Sequence, residues 1–326
     1  MSTTARREGD EWVVDGEKTV ITSAPLATHL LVTARTSGER TDTDGISLFL
    51  VDFDPTNPPT GVEIHSYRTI DDRRASDIVF SGLRLPADSL LGEEGSAWPS
   101  VSRGIDEATA AVSSEAVGLM RKVLTDTVEY AKQRQQFGQP IGSFQALQHR
   151  MVDMYMEVEQ AVSAVYLAVL HLDSDDATRA RAVSAAKATI SRAARFVGQN
   201  AVQLHGGMGM TEELAVGHYF KRLTAIEYEF GTAEQHVARY AQLTKADRIG
   251  PGASAGDHPA PACIRFRRSD RASSTRVAAT TGSSCSHTRT TAQPAACKRA
   301  SVSRSRCTLA ASLATHHSAL FFGNVA

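Results

Sequence analysis

The sequence predicts a small β-barrel over residues 1–98, an antiparallel four-helix bundle over residues 99–249, and a disordered basic tail over residues 250–326. Short β-rich runs separated by Gly, Pro and Asp clusters fill the first region. Apolar residues recur at helical spacing in the second region. Beyond about residue 250 both patterns give way to Ser, Thr, Ala and Arg, a composition that favours disorder.

The predicted barrel begins with a hairpin. The run WVVDGEKTVI places Asp15-Gly16 between two β-rich stretches, and this dipeptide readily adopts the positive φ angles of a tight turn. The later runs are HLLVTART, ISLFLVDF, VEIHSY and SDIVFSGLRLP. Short strands at this spacing are typical of a small barrel or sandwich.

Four long amphipathic helices are predicted after the barrel. The first begins near Trp98, the second near Leu147, the third covers residues 177–204, and the fourth follows Thr232. Four such helices predict an antiparallel bundle.

The tail differs from the rest of the chain in charge and in cysteine content. The whole chain has a formal net charge of -1, which gives no argument for nucleic acid or for an anionic membrane surface. Residues 251–326 nevertheless carry ten Lys or Arg against two Asp, together with all four cysteines. A solvated disordered segment is favoured over a basic nucleic-acid arm, and a shifted reading frame is a further explanation.

Composition also restricts the compartment and the cofactors. The first 250 residues contain no cysteine, which favours a reducing cytoplasm. No run approaches the roughly 18 apolar residues of a membrane span, and the start of the chain, MSTTARREGDEW, lacks the apolar core of a signal peptide. We therefore expect a cytoplasmic protein without a membrane span. No cluster of His, Cys and carboxylates suggests a metal.

Two motifs follow the first and third predicted helices. RQQFGQPIGSFQALQHR begins at Arg134, where a guanidinium at a helix end offers a planar fork of donors to a diphosphate. QLHGGMGMTEE contains Gly206 and Gly207, which let backbone N–H groups approach a ligand where a Cβ would collide. Alone, each motif fits a surface ion pair or a helix stop; together they predict a cofactor site.

The order of these features resembles the acyl-CoA dehydrogenase family of flavoproteins over about residues 3–247. VVDGEKTVITSA is similar to the family's Asn-Gly-Glu-Lys-x-Trp-Ile-Thr-Asn, and LLGEEG closes the strand region as in relatives. The resemblance implies FAD as cofactor, an acyl-CoA substrate, electron-transfer flavoprotein as acceptor, and a role in fatty acid metabolism. It also implies a homo- or hetero-oligomer, because FAD is shared between subunits. Full-length relatives begin with a helical domain that this sequence lacks.

The resemblance assigns cofactor contacts to Thr22, Arg134, Gln136, Phe137, Gln203, Gly206, Gly207, Thr232 and Glu234. Thr22 corresponds to the threonine that faces the N5 edge of the flavin. Val20 stands where a tryptophan usually covers the flavin, so we expect weaker stacking on the cofactor.

The family's chemistry requires a carboxylate base that removes the α proton of the thioester while a hydride leaves the β carbon. Relatives commonly read Tyr-Glu-Gly-Thr. In IEYEFGTAEQ the ungapped register puts Phe230 in the glutamate position, whereas a slip of one residue makes Glu229 the catalytic base. An acidic first helical turn is the alternative explanation of these carboxylates. Glu107, one residue from the base position of other relatives, is a weaker candidate.

Two functions stay open at this point. The chain is either an FAD-dependent acyl-CoA dehydrogenase, or a catalytically inactive or truncated subunit that supports oligomerisation and lends Arg134 and Gln203 to a partner's FAD. The functions differ in the presence of a base and in whether the purified chain alone is yellow.

Overall fold

The computed structural model describes residues 1–249 and a two-residue strand at Ser318–Ala319. The first part of the chain is an antiparallel sheet, apart from one parallel contact between its first and third strands. Its strands are β1 Thr4–Glu8, β2 Glu11–Thr22, β3 His29–Arg35, β4 Ile46–Asp52, β5 Val62–Arg68, β6 Arg74–Pro86 and β7 Leu90–Leu91. They lie in the order β5-β6-β2-β1-β3-β4-β7.

The predicted barrel is wrong, because this sheet is open. Closure requires the two outermost strands to pair with a consistent tilt and stagger. Here β7 has only two residues, and β5 pairs with β6 alone. The sheet also narrows at its middle, where β1 and β3 are joined only at Thr4 and Arg35.

The predicted hairpin at Asp15-Gly16 is also wrong, since β2 runs through both residues without turning. The turn lies earlier, at Gly9-Asp10. Gly16 has φ 136°, and a Cβ there would lie 2.6 Å from Cα of Thr3, so glycine is required by close backbone approach. The Asp15 carboxylate accepts a hydrogen bond of 2.6 Å from the Gly82 N–H, which fixes a bulge between β2 and β6.

Helices fill the rest of the described chain. They are α1 Trp98–Gln133, α2 Gln145–Leu170, α3 Asp176–His205, α4 Ala215–Tyr228 and α5 Ala233–Ile249. A short hairpin, β8 Gln135–Gln136 and β9 Gln139–Pro140, connects α1 to α2. The four predicted helices are confirmed as α1, α2, α3 and α5, whereas α4 was not predicted. Its apolar pattern is interrupted by the buried Arg222 and Glu227.

Helix directions follow from contacts at the two ends of α1 and α3. Asp106 near the start of α1 bonds to Arg179 near the start of α3, and Tyr130 near the end of α1 stacks on His205 at the end of α3. The helices α1 and α3 therefore run in the same direction. The helix α2, which comes between them in the sequence, runs in the opposite direction. The central helix, α3, contacts α1, α2, α4 and α5.

The tail prediction lies outside the described residues except at Ser318–Ala319, which pairs in parallel with His29–Leu30. Over the described part of the chain, every helix is too short or too polar to cross a bilayer. Within the same part, no group of three His, Cys, Asp or Glu residues converges as a metal site.

Candidate functional site

The ends of α1 and α3 form one exposed surface at the same end of the bundle. The rings of Tyr130 and His205 stack with centroids 4.3 Å apart, and the Tyr130 hydroxyl donates to the His205 carbonyl at 3.4 Å. His205 is buried and serves this packing. Six predicted cofactor residues lie around this contact, and we call them the Arg134 surface: Arg134, Gln136, Phe137, Gln203, Gly206 and Gly207.

Arg134 ends α1 with an exposed side chain. Among the side chains of residues 1–245, no carboxylate forms an ion pair with it. The hairpin after it turns at Phe137-Gly138, where φ is 54° and 80°. Positive φ at both positions is the geometry of a type I′ turn, and it is costly for phenylalanine. The Phe137 side chain is 90% exposed, so its ring is available to a ligand or another subunit.

The two glycines at the end of α3 face open space. A Cβ built on either Gly206 or Gly207 would meet nothing within 4 Å. Gly206 has φ 60°, which ends the helix, but packing within the chain does not explain glycine at 207. Room for an approaching ligand does explain it. The open glycines, and a guanidinium without an ion-pair partner among the side chains of residues 1–245, are donors of the kind that a diphosphate accepts.

Thr22 lies at the end of β2, beside a strained bulge. Val20 has φ 54° and is 52% exposed, and its N–H donates to the Asp77 carboxylate at 2.7 Å. Tyr67 donates to the same carboxylate oxygen at 2.9 Å. A β-branched residue at positive φ is unusual, and such strain is often found at functional sites. Thr22 pairs with Ala75, close to the turn between β5 and β6.

Glu229 belongs to a group of ion pairs centred on Arg222, which we call the Arg222 cluster: Arg222, Asp71, Glu115 and Glu229. The guanidinium donates to both oxygens of Glu229, at 2.5 and 3.1 Å, and to both oxygens of Glu115, at 2.6 and 2.8 Å. It also donates to Asp71 at 2.9 Å. Arg222 holds the pKa of Glu115 below its ordinary value. Glu229 therefore lies in a charged setting, whereas an apolar setting is what raises the pKa of a carboxylate general base toward neutrality.

The Arg222 cluster joins the sheet to the helices. Asp71 lies in the turn between β5 and β6, Glu115 in α1, and Glu229 immediately after α4. Arg73 reinforces the contact by pairing with Glu115 at 3.2 Å. Because Thr22 ends β2 close to this same turn, the structure places Thr22 and Glu229 on the same side of the molecule.

The remaining predicted residues begin α5. The Thr232 N–H donates to the Gln235 side chain at 2.8 Å, and the Gln235 N–H donates to the Thr232 hydroxyl at 3.4 Å. This reciprocal pair is a capping box, so helix initiation accounts for Thr232. Glu234 is exposed in the first turn, where its pKa is lowered principally by a backbone hydrogen bond. Phe230, at φ 58°, packs its ring on the bundle core.

The predicted site residues therefore fall into two separated groups. Glu115 and Arg134 are 19 residues apart on α1, and a rise of 1.5 Å per residue puts them about 28 Å apart. The Arg134 surface and the Arg222 cluster cannot touch the same end of one cofactor. Glu107, the weaker candidate base, is exposed and pairs with Arg103 at 2.8 Å.

A buried polar interior was not predicted from the sequence. Asp106, fully buried, accepts hydrogen bonds from Arg179 at 3.4 Å and from Arg239 at 2.6 Å. Lys187 is also fully buried, on α3. The only sequence signal for these residues is a charged side chain on the apolar stripe of a helix, and it does not identify the partner.

His236 in α5 supports the loop that follows Glu229. Its Nε2 donates to the Phe230 carbonyl at 3.0 Å, whereas its buried Nδ1 has no hydrogen-bond partner among the described residues. Burial lowers the pKa of His236 from 6.5 to about 4, so the ring is neutral in the folded chain at pH 7.

We expect this histidine to weaken the fold in mild acid. Between pH 6.5 and 4 the unfolded chain protonates His236 and the folded chain does not, so stability falls as pH falls, by up to about 3 kcal/mol. Urea unfolding at several pH values should show this loss reduced in His236→Gln. His149 is exposed, so His149→Gln serves as control and should leave the loss of stability below pH 6.5 unchanged. If the native protein and His236→Gln lost the same stability between pH 6.5 and 4, His236 would not be the cause of the loss.

Comparison with known proteins agrees with this architecture. The sheet region matches the family profile "Acyl-CoA dehydrogenase, middle domain" over residues 1–83, and the helices match "Acyl-CoA dehydrogenase, C-terminal domain" over residues 95–252. The sheet and the helices are thus the middle and C-terminal domains of a flavoprotein family. The chain belongs to the acyl-CoA dehydrogenase family, whose members depend on FAD.

Individual relatives span a longer chain. A Bacillus subtilis protein described as probable acyl-CoA dehydrogenase YngJ is 34% identical over 74% of this chain and 64% of its own length. Subunit CarC of the caffeyl-CoA reductase-Etf complex of Acetobacterium woodii is 32% identical over 72% of this chain and 61% of its own. The structure titled "FAD complex of PigA" superposes with a TM-score of 0.69 at 27% identity, covering 75% of this chain and 63% of that one. The chain therefore spans less than two thirds of each.

Proposed function

We propose that this chain is a subunit of an FAD-dependent acyl-CoA dehydrogenase, which removes hydrogens from the α and β carbons of an acyl-CoA thioester. The observation that carries the proposal is the Arg134 surface. A guanidinium with no ion-pair partner among the side chains of residues 1–245, and two glycines open to solvent, lie at the ends of α1 and α3, and packing within those residues explains neither the guanidinium nor Gly207. Family membership adds the chemistry, because FAD accepts the hydride.

In this proposal the cofactor residues divide between two subunits. Arg134 and the backbone around Gly206 and Gly207 hold the diphosphate, with Gln136, Phe137 and Gln203 beside it. Thr22, Thr232 and Glu234 belong to the side of the flavin ring, together with the exposed Val20. Since Glu115, which shares Arg222 with Glu229, lies about 28 Å from Arg134 along α1, we propose that a second subunit completes each site.

An exposed apolar face supports such an assembly. On α2, Val152, Tyr155, Met156, Tyr166 and Leu170 are each about half exposed or more. Together with Phe137 they form apolar surface that water does not favour and that a subunit contact removes. We propose a homo- or hetero-oligomer, which light scattering on the purified protein tests directly.

The proton acceptor in this proposal is Glu229. Arg222 fixes the direction of its carboxylate through two hydrogen bonds, which positions it without a search over rotamers. Electron-transfer flavoprotein is the proposed electron acceptor, by analogy with the Etf complex to which CarC belongs. Cytoplasmic location and a role in fatty acid metabolism complete the proposal.

The colour of the purified protein tests this function. The chain reconstituted with FAD should be yellow after gel filtration, and an acyl-CoA should bleach the flavin absorbance. Arg134→Met should reduce retained flavin by about tenfold, the loss expected for one charge-assisted contact. Glu229→Gln should keep the flavin but abolish bleaching, whereas Glu107→Gln should bleach normally. Bleaching by Glu229→Gln at the native rate would exclude Glu229 as base.

A catalytically inactive subunit is the second candidate function. The observation that favours it is the pairing of Glu229 with Arg222, together with Phe230 in the ungapped position of the base. This candidate predicts a colourless chain that turns yellow only with a partner and FAD. A chain that is yellow alone, and bleaches, rules it out.

A further inference from the structure

Lys187 is a fully buried lysine on α3 with an unusual set of partners. Its ammonium donates to the Ile226 carbonyl in a short hydrogen bond and to the Glu227 carbonyl at 3.4 Å. For the side chains that the structure describes, those of residues 1–245, no carboxylate lies within ion-pair distance of its Nζ atom. A charge removed from water usually has a carboxylate partner, so this lysine calls for an explanation.

The two carbonyls are those that the end of α4 leaves without helical partners. The helix ends at Tyr228, and the last carbonyls of any helix lack the N–H groups of a following turn. They also carry the negative end of the helix dipole, which a cation stabilises. Lys187 therefore serves as a C-terminal cap supplied by another helix.

The cap controls the place where the chain leaves α4. Glu229 is the first residue beyond the helix, and its N–H donates to the Ala225 carbonyl at 3.2 Å. The N–H of Gly231 then donates to the backbone carbonyl of Tyr228 at 3.5 Å. If the last turn unwound by one residue, Glu229 would rotate by about 100° and lose Arg222.

We propose that Lys187 is a positioning residue for Glu229: by capping α4 at Ile226 and Glu227, it fixes the helix end from which the carboxylate projects. The mechanistic part of this proposal rests on the function proposed above, whereas the structural part does not. Nothing suggests a direct role in the chemistry, because the side chain is fully buried under α4.

The electrostatic surroundings agree with a cation at neutral pH. Burial lowers the pKa of Lys187 to about 8, and the charges of Glu229 and Glu227 act in the opposite direction. Arg222 and the nearby His236 are the other titratable groups that face it. The ammonium thus remains charged at pH 7 even though burial opposes the charge.

Hydrogen exchange followed by mass spectrometry tests the cap without any need for activity. In Lys187→Met, exchange in peptides covering residues 226–232 should rise by about tenfold, while peptides from α1 and α3 keep their native rates. Lys187→Gln retains a donor without the charge and should show a smaller rise. Lys18→Met is the matched control, because Lys18 is a half-buried lysine whose pKa burial also lowers to about 8, and it bonds to Thr33 in the sheet.

The outcomes are distinct. Unchanged exchange at residues 226–232, or a uniform rise over the whole bundle, overturns the proposal. If Lys187→Met does not fold, the same comparison in Lys187→Gln decides. Should the native protein be active, kcat should fall in Lys187→Gln with KM unchanged, since only the position of the proton acceptor changes. An inactive native protein with a local rise in exchange would refute the proposed function and leave the cap intact.

Discussion

Arg222→Met should lower the free energy of unfolding by about 3 kcal/mol. The substitution removes the cation that three carboxylates share, including Asp71, whose side chain is 3% exposed. Water can reach Glu115 and Glu229 in part, so we expect a loss near the lower end of the range for buried pairs. Urea unfolding followed by circular dichroism measures it.

Arg73→Met is the matched control for this change. Arg73 pairs with two of the same carboxylates, but its side chain is 43% exposed, so its loss should cost less than about 1 kcal/mol. Because Arg222 joins the sheet to the helices, its replacement should also separate their unfolding into two transitions. If Arg222→Met and Arg73→Met lowered the free energy of unfolding equally, Arg222 would not be the main stabilising cation of the Arg222 cluster.

Asp106→Ala should destabilise the bundle by about 3–5 kcal/mol. Asp106 is fully buried and lies between Arg179, which is 3% exposed, and Arg239. Without the carboxylate, two guanidinium groups remain close together with no charge between them, and one of them cannot reach water. Thermal unfolding and urea titration should agree on the loss.

A matched carboxylate is available in the same group. Asp176 also pairs with Arg179, at 2.7 Å, but it is 86% exposed, and Asp176→Ala should therefore cost less than about 1 kcal/mol. If the two alanine variants were equally stable, the buried position of Asp106 would have no energetic importance.

Sequence reasoning predicted the local patterns well where a single periodicity dominated. The apolar stripes of α1, α2 and α3 are long enough to dominate the few buried charges on them, so these helices could be predicted. It failed at Asp15-Gly16, because the same dipeptide that forms turns also fits a bulge, and only the approach of Thr3 decides between them. The prediction of a closed barrel was wrong for a similar reason. Closure depends on which strands lie next to each other, and the sequence of a single strand does not determine this.

The candidate site shows the same division. The Arg134 surface could be predicted because both motifs are continuous in sequence, and the stacking of Tyr130 on His205 brings them to one end. Whether they contact FAD stays a prediction. The Arg222 cluster could not be predicted, because Asp71, Glu115 and Glu229 come from three distant segments. Only the fold brings these three carboxylates within hydrogen-bonding distance of Arg222.

The open sheet has a consequence for how the chain behaves at high concentration. An unclosed sheet presents the backbone of its outermost strand, β5, to any other extended chain, and such edges promote aggregation. The strand Val62–Arg68 carries Glu63, His65 and Arg68, all exposed, so parallel in-register stacking of β5 from successive copies would set each charge beside a like charge. The charged side chains on β5 therefore disfavour fibril-like growth from this edge of the sheet.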